Sequence, residues 1–319
     1  MTFHFYLNSM QVHYGLENIR IEKPVVTIGS FDGVHKGHVQ VIAGLKRCAR
    51  KLQGESVIIS FDPHPREVLY PLEKRPGILT TLDEKIKILS EYGIQHLIVL
   101  KFTEELAHLT YDNFVKHILV DKIGIAGLVV GYDHRFGKDR EGDFEALKTL
   151  AEKYHFYIEQ EEVCVTREVN ISSTKIRTAL ELGDVGLVKA LLGYDYPISG
   201  VVVHGDKIGR QMGFPTANIN VSDHRKLLPA AGVYAAHVYI DGETYEGMLN
   251  VGVRPTVSTS GIVRLEVNIF DFDRDIYGAD ITVTVLERIR GERKFENTGE
   301  LQLQLQKDKE AVLRLKNEG

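Results

Sequence analysis

Several segments of this 319-residue chain carry the residue types that handle phosphate. The first is GSFDGVHKGH at 29–38. Gly29, Gly33 and Gly37 permit a tight turn and close backbone approach to a ligand. A helix opening after that turn offers unpaired N–H groups and the positive end of its dipole. His35 and His38 stand three apart, so both imidazoles can address one anion, although two surface histidines would show the same spacing. The segment is neither the dinucleotide fingerprint GxGxxG nor the P-loop GxxxxGK[ST].

The second is ISSTKIR at 171–177. Ser173 and Thr174 can donate to phosphate at a helix start, and Arg177, one turn on, adds a guanidinium. A plain N-cap is the alternative reading of ISST; Arg177 and the paired histidines tilt the balance towards phosphate. The third is HGDKIGRQMGFPTANI at 204–219. Gly205, Gly209 and Gly213 let the chain wrap a polyphosphate, while Lys207 and Arg210 offer charge. Thr216 and Asn218 alternate along an extended chain and so face one side; their hard oxygens suit Mg²⁺ carried on a nucleotide. By itself GDKIGRQMG also reads as a hairpin turn, and its spacing is wrong for a Walker loop.

These segments need a scaffold. From Pro24 to about Tyr157, short apolar runs at 25–31, 56–61, 96–100 and 126–132 alternate with helical periodicity around Gly37–Lys51, Asp83–Tyr92, Tyr111–Lys122 and Asp143–Lys153. That alternation predicts βαβ units and a parallel sheet covered on both faces, with ligands at the carboxyl ends of the strands. After Gly183 the pattern changes. A short helix at Val185–Leu192 and a linker, GYDYP at 193–197, lead into strands at 199–205, 232–240, 244–253, 262–270 and 280–289. Turns rich in Gly, Asp and Pro, including DG at 241–242, predict a small antiparallel barrel. In the tail Leu301, Leu303 and Leu305 alternate like a strand, but its Gln, Glu, Lys and Leu content and its length favour a closing helix.

Hydrophobic residues make up 43% of the chain and charged residues 26%, ordinary for globular domains and enough for two cores. A net charge of −5 gives no ground for nucleic-acid or anionic-membrane binding, so neither is expected as a partner. The two cysteines, Cys48 and Cys164, show no metal or redox spacing and read as buried apolar thiols in a reducing compartment. With neither a signal-peptide pattern nor a membrane-length apolar run, the expected location is cytoplasmic. The sequence assigns no oligomeric state.

GSFDGVHKGH resembles the signature of the nucleotidyltransferase superfamily, in which an HxGH motif contacts the ATP phosphates. With SFDPHP (60–65), VGYDHRFGKDREGD (130–143) and ISSTKIR, in this order, it resembles the FMN adenylyltransferase module of bacterial bifunctional FAD synthetases. The resemblance spans roughly residues 20–185. It implies that FMN phosphate attacks the α-phosphorus of ATP and pyrophosphate leaves, with His35 and His38 holding the phosphates. The nucleophile is already an anion, so positioning and charge stabilisation carry the step. Asp133 falls where that family carries a polar residue near flavin or nucleotide; a capping or turn-forming aspartate fits equally well.

VVHGDKIGRQMGFPTANI, PAAGVYAA (229–236), MLNVGVRPT (248–256) and LEVNIFDFDRDIYG (265–278) together resemble the riboflavin kinase family, over about residues 186–319. That resemblance implies a six-stranded barrel with a C-terminal helix, Thr216 and Asn218 binding Mg²⁺-ATP, and Glu266 as the base that takes the proton of the ribityl 5′-hydroxyl. A neutral alcohol is a poor nucleophile, so a carboxylate there makes chemical sense; a solvent-facing strand glutamate is the alternative. Family members commonly carry His two residues after that glutamate, where this chain has Asn268.

The expectation is therefore an α/β chain of two domains. Residues 1–185 form a Rossmann-like nucleotidyltransferase domain with a parallel sheet, and 186–319 a six-stranded antiparallel barrel with a closing helix. Together they convert riboflavin to FMN and FMN to FAD with ATP and Mg²⁺. A single-activity FMN adenylyltransferase with a degenerate kinase domain is the alternative.

Overall fold

The computed structural model describes residues 10–132, 142–162, 165–166, 169–205, 209, 212–221, 223–254 and 262–318. Asp133, Cys164, Lys207 and Arg210 lie outside the described residues. The chain forms two compact units, Met1–Ser173 and Thr174–Gly319.

In the first unit six strands make one parallel sheet: β1 Gln11–Tyr14, β2 Val25–Ile28, β3 Ser56–Asp62, β4 His96–Lys101, β5 Gly127–Val130 and β6 Tyr157–Gln160, in the order β1-β4-β3-β2-β5-β6. Their apolar residues alternate between two cores, as a period of two requires. Val26, Ile28, Val57, Ile59, Ile98 and Leu100 join one cluster. Val25, Ile58, Leu97, Val99 and Val129 join the other. The first is covered by a helix that begins at Tyr111–Phe114 and widens into a π-helical stretch over Val115–Ile123, and by the helix Phe144–Tyr154. The second is covered by α1, Lys36–Leu52. β2 lies where the strand order reverses, with β3 on one side and β5 on the other. Its carboxyl end is thus the topological switch point where doubly wound sheets place ligands, and the segment that follows it is GSFDGVHKGH.

The sheet differs from expectation in three places. The strand predicted at 25–31 stops at Ile28, because Phe31 and Val34 turn into the left-handed region with φ of 46° and 34°. The strand predicted at 126–132 is confined to Gly127–Val130. The edge strands β1 and β6, QVHY and YIEQ, lack a continuous apolar run and were not legible; nor was the small hairpin β7 Val165–Thr166 with β8 Val169–Asn170.

The second unit opens with two helices, Ser173–Leu182 (whose first residue closes the first unit) and Val185–Leu192. It continues as a closed barrel of β9 Tyr196–Val203, β10 Ala217–Asn220, β11 Gly232–Ile240, β12 Glu243–Arg254, β13 Ile262–Ile269 and β14 Asp280–Gly291, in the order β10-β13-β12-β11-β14-β9. Asp241 and Gly242 both take positive φ, 50° and 80°, which matches the twist of the hairpin joining β11 to β12. Tyr196 and Pro197, expected in a linker, are the first residues of β9, paired with Val285 and Thr284. Arg288 ties the helix Ser173–Leu182 to the barrel, donating from Nη1 to the Leu182 carbonyl at 3.1 Å and from Nη2 to that of Ala231 at 2.9 Å.

The tail is a helix, Thr298–Glu318. Leu305, Val312 and Leu315 face a cluster of Phe214, Val233, Met248 and Phe270, whereas Leu303 is exposed, so the helical period and not the strand-like alternation governs. Arg290 grips the buried Asp308 with Nε and Nη2, at 3.0 and 2.8 Å, fixing this helix to β14. The chain thus holds a parallel α/β unit and a closed antiparallel barrel with a C-terminal helix.

Candidate functional site

After β2 the chain makes its turn through Ser30–Val34 and enters α1 at Lys36. His35 is the N-cap: its Nδ1 accepts from the backbone N–H of His38 at 3.3 Å. An Nδ1 that accepts has no proton, so the neutral His35 ring carries its proton on Nε2. Gly37 makes room for this, since a Cβ there would stand 3.2 Å from the His35 ring. The two imidazoles stack, centroids 3.7 Å apart and planes within 10°, and the His38 ring also lies against Phe31 at 4.9 Å. No acidic residue occupies the first turn of α1, so the positive end of its dipole is uncompensated there.

Burial pushes the His38 imidazole well below its ordinary pKa; a protonated His35 and the charge of Lys85 would push the same way. His38 is therefore neutral near pH 7. Its Nδ1 is buried and has no hydrogen-bond partner among the described residues. Two neutral rings, each with one N–H to donate, form the centre of this site.

The turn is held from three directions. The Asp32 side chain is buried, and its Oδ1 accepts from the backbone N–H groups of Leu79 and Thr80 at 2.8 and 3.1 Å. The Gly33 N–H donates to Thr80 Oγ1 at 3.1 Å. Ser173 Oγ donates to the Asp32 carbonyl at 3.1 Å, so this predicted phosphate donor is engaged with the turn itself. Lys85, also buried, donates to Ser60 Oγ at 3.2 Å, and Ser60 Oγ donates to the Ser30 carbonyl at 3.1 Å. SFDPHP joins in: Phe61, Asp62 and His64 line a small pocket with Asp32, Thr80 and Lys85. Thr174 and Arg177 continue the helix that Ser173 opens, in the second compact unit, and Arg177 is buried.

In the barrel, Thr216 immediately precedes β10, which carries Asn218 beside β13. Asn218 pairs directly with Glu266, and Glu266 pairs on its other side with Asn250 of β12. Directly opposed residues share a face, so register aligns an amide, a carboxylate and an amide in one row. A Cβ on Gly205 would fall 2.0 Å from Asn218 Nδ2, and one on Gly209 would fall 2.3 Å from the Phe214 carbonyl oxygen. Glycine at both positions is what brings the loop against the FPTAN segment. The Gly209 carbonyl accepts from the N–H groups of Met212 and Phe214 at 3.1 and 2.9 Å. A pocket of about 340 Å³ is lined by His204, Gly205, Asn218, Asn220 and Arg264. A second, of about 260 Å³, is lined by Thr216, Ala217, Val267, Phe272, Arg274 and Tyr277. Glu266 lies on β13 between the residues that line the two.

Residues 18–175 match the FAD synthetase family and residues 192–316 the riboflavin kinase family. The bifunctional riboflavin kinase/FMN adenylyltransferase of Escherichia coli K12 is 41% identical over 286 residues, covering 89% of this chain and 90% of that protein. Its namesake from Bacillus subtilis strain 168 is 37% identical over 303 residues, 92% of each chain. This chain belongs to the bifunctional riboflavin kinase/FMN adenylyltransferase family. A crystal structure of a Streptococcus pneumoniae protein described as a macrolide-efflux protein shares the fold, with a TM-score of 0.86 and 33% identity over 94% of this chain and 98% of that one. Among the described residues no helix is long and apolar enough to cross a membrane.

Asn268, where the resemblance led to an expectation of His, has a structural role of its own. Asn268 is buried, and its Nδ2 donates to the Pro215 carbonyl at 2.6 Å, holding the residue that precedes Thr216. Asp32, Thr80 and Lys85 were not singled out from sequence. Asp32 sits inside the FDG turn and could have been suspected there; Thr80 and Lys85 come from a segment more than 40 residues away and carry no local signal.

Proposed function

We propose that the barrel transfers the γ-phosphoryl group of ATP to the 5′-hydroxyl of riboflavin, and that the α/β unit then joins the resulting FMN to the adenylyl group of a second ATP. In the first step Glu266 takes the hydroxyl proton as that oxygen attacks the γ-phosphorus, and ADP leaves. In the second the FMN phosphate attacks the α-phosphorus, and pyrophosphate leaves. His35 and His38 each donate a ring N–H to phosphate oxygens whose charge grows as the leaving group departs. Gly33 gives the phosphates close access to the backbone, and Thr174 and Arg177 add a hydroxyl and a guanidinium. Ser173 acts by holding the turn through the Asp32 carbonyl. Lys207 and Arg210 neutralise the triphosphate in the barrel loop, and Asp133 stays assigned to the flavin side. The functional division runs at 185/186.

Thr216 and Asn218 offer two neutral hard oxygens beside the Gly205 cradle, a donor set that suits Mg²⁺ arriving on the nucleotide. When bound there, the ion supplies neutralisation of the β- and γ-phosphate charge. A cytoplasmic location accords with two steps that each consume ATP.

The observation that carries this reading is the cross-strand alignment of Asn218 with Glu266, which supports a base beside the nucleotide loop. The test is a chromatographic time course with riboflavin, excess ATP and Mg²⁺, beside a reaction started from FMN. FMN first and FAD second, with ADP and pyrophosphate released, is the expected result. Riboflavin left untouched while FMN becomes FAD would overturn the kinase assignment, and FMN accumulating without FAD would overturn the assignment of the histidine site.

A further inference from the structure

The turn that carries His35 holds two non-glycine residues, Phe31 and Val34, in the left-handed region, one of them β-branched. Such residues persist only where the surroundings over-determine them. Here the surroundings are polar, buried and remote in sequence. Asp32 Oδ1 takes the N–H groups of Leu79 and Thr80; Thr80 Oγ1 takes the N–H of Gly33 and lies 3.5 Å from Asp32 Oδ1. These groups, from four residues, close a ring between the turn and residues 79–80, and both Asp32 and Thr80 are buried.

That ring is fastened to a helix. Thr81, the next residue, caps α3 (Leu82–Glu91, numbered in chain order after the short α2, Pro65–Leu69) in a reciprocal box. Thr81 Oγ1 accepts from the Glu84 N–H at 3.2 Å, and Glu84 Oε2 accepts from the Thr81 N–H at 2.9 Å. One turn into α3, Lys85 reaches Ser60, which reaches the Ser30 carbonyl. The start of α3 therefore grips the turn on both sides of Phe31, at Ser30 and at Asp32–Gly33.

We propose that Asp32 and Thr80 are positioning residues for adenylyl transfer: they lock the strained turn so that His35 caps α1 and both imidazoles present their N–H groups in one place. The proposal rests on the adenylyl-transfer reading of the histidine site. The lock acts on geometry required in the transition state, not on the affinity for ATP, because neither residue is placed against the nucleotide. Misplacing reacting groups by about 1 Å can cost roughly 100-fold in rate.

The test uses the full chain, whose riboflavin kinase activity is an internal control for folding of the other unit. Thr80→Val keeps the shape but removes the acceptor of the Gly33 N–H, and Thr80→Ser restores it. The expected result is a fall of roughly 10- to 100-fold in kcat for FMN adenylation in Thr80→Val, with KM for ATP changed by less than about threefold, and recovery in Thr80→Ser. Asp32→Asn, which keeps one acceptor oxygen but loses the charge, should fall between the two. His38→Ala separates the proposal from the reading it rests on. If His38→Ala adenylates normally, the histidine site itself is misassigned. If His38→Ala is impaired while Thr80→Val works at the unmodified rate, the lock is overturned. Should Thr80→Val be poorly folded, Thr80→Ser and Asp32→Asn decide alone: equal, unchanged kcat in both overturns the proposal, and graded loss supports it. A rise in KM with unchanged kcat also overturns it.

Discussion

The two glycine-rich segments proposed to hold phosphate are built by opposite physical means. At 29–38 the chain tolerates Phe31 and Val34 at positive φ because buried polar groups from residues 79–85 hold it there. At Gly205 and Gly209 there is close packing instead, since a Cβ would fall 2.0 and 2.3 Å from atoms of Asn218 and Phe214. Hydrogen bonds across the fold hold the first segment, whereas Gly205 and Gly209 allow a close approach that any Cβ would block. The chemistry differs in the same sense. Adenylyl transfer starts from an anionic nucleophile and needs donors held still. Phosphorylation starts from an alcohol and needs a base; cross-strand register sets a carboxylate, Glu266, beside Asn218.

Breaking the contrast at its chemical centre should give the largest effect. Glu266→Gln keeps the size but loses the base, and FMN formation should fall by roughly 100- to 10,000-fold while supplied FMN is adenylated as before. Equal loss of both steps, measured by separate assays from riboflavin and from FMN, would show that the two sites are not independent.

Next comes the contrast between glycines. Gly205→Ala must displace the Asn218 amide, and riboflavin phosphorylation should drop by roughly 10- to 100-fold. Gly37→Ala meets the His35 ring only at 3.2 Å, where a small shift suffices, and adenylation should fall by less than about 10-fold. Steady-state rates for both steps in both variants test the pair, and a reversed order of severity would break the comparison.

A smaller effect is expected at Asn268. Asn268→Leu removes the donor to the Pro215 carbonyl, and because Pro215 is exposed, water can take over part of that bond. The barrel should lose about 1 kcal/mol by thermal or denaturant unfolding, with a modest rise in KM for ATP as Thr216 loosens. Unchanged stability and KM would remove Asn268 from the account of the FPTAN segment.

The smallest effect is a pH signature confined to the first loop. The His38 pKa is lowered by burial, then by His35 and Lys85, so the folded state binds this proton less readily than the unfolded chain. Its contribution to stability is therefore whole above the ordinary histidine value of about 6.5 and declines as pH falls below it. In proton NMR the His38 ring should show no titration step near pH 6.5. A midpoint there would mean an exposed, cationic His38 and a different role for it.

Much of this was legible in the residues themselves. Alternating apolar runs at 56–61 and 96–100 became β3 and β4, since a strand buried on both faces has to be apolar throughout. The DG turn, the helix opening at Ser173 and the closing helix could also be read, because each rests on local preference or on a period within a few turns. The spacing of His35 and His38 and of Thr216 and Asn218 picked out both candidate segments for the same reason: residues a few positions apart at a helix start or along an extended chain meet by local geometry alone.

The tertiary structure decided what depends on residues far apart. It placed β2 at the reversal of strand order, and it paired Asn218 with Glu266 across β10 and β13. It also brought Thr80 and Lys85 to a turn more than 40 residues earlier and turned Ser173 towards the Asp32 carbonyl. Polar contacts of this kind leave no period in the sequence. A threonine that locks a loop and one that merely caps a helix are the same residue until the sheet brings the loop to it.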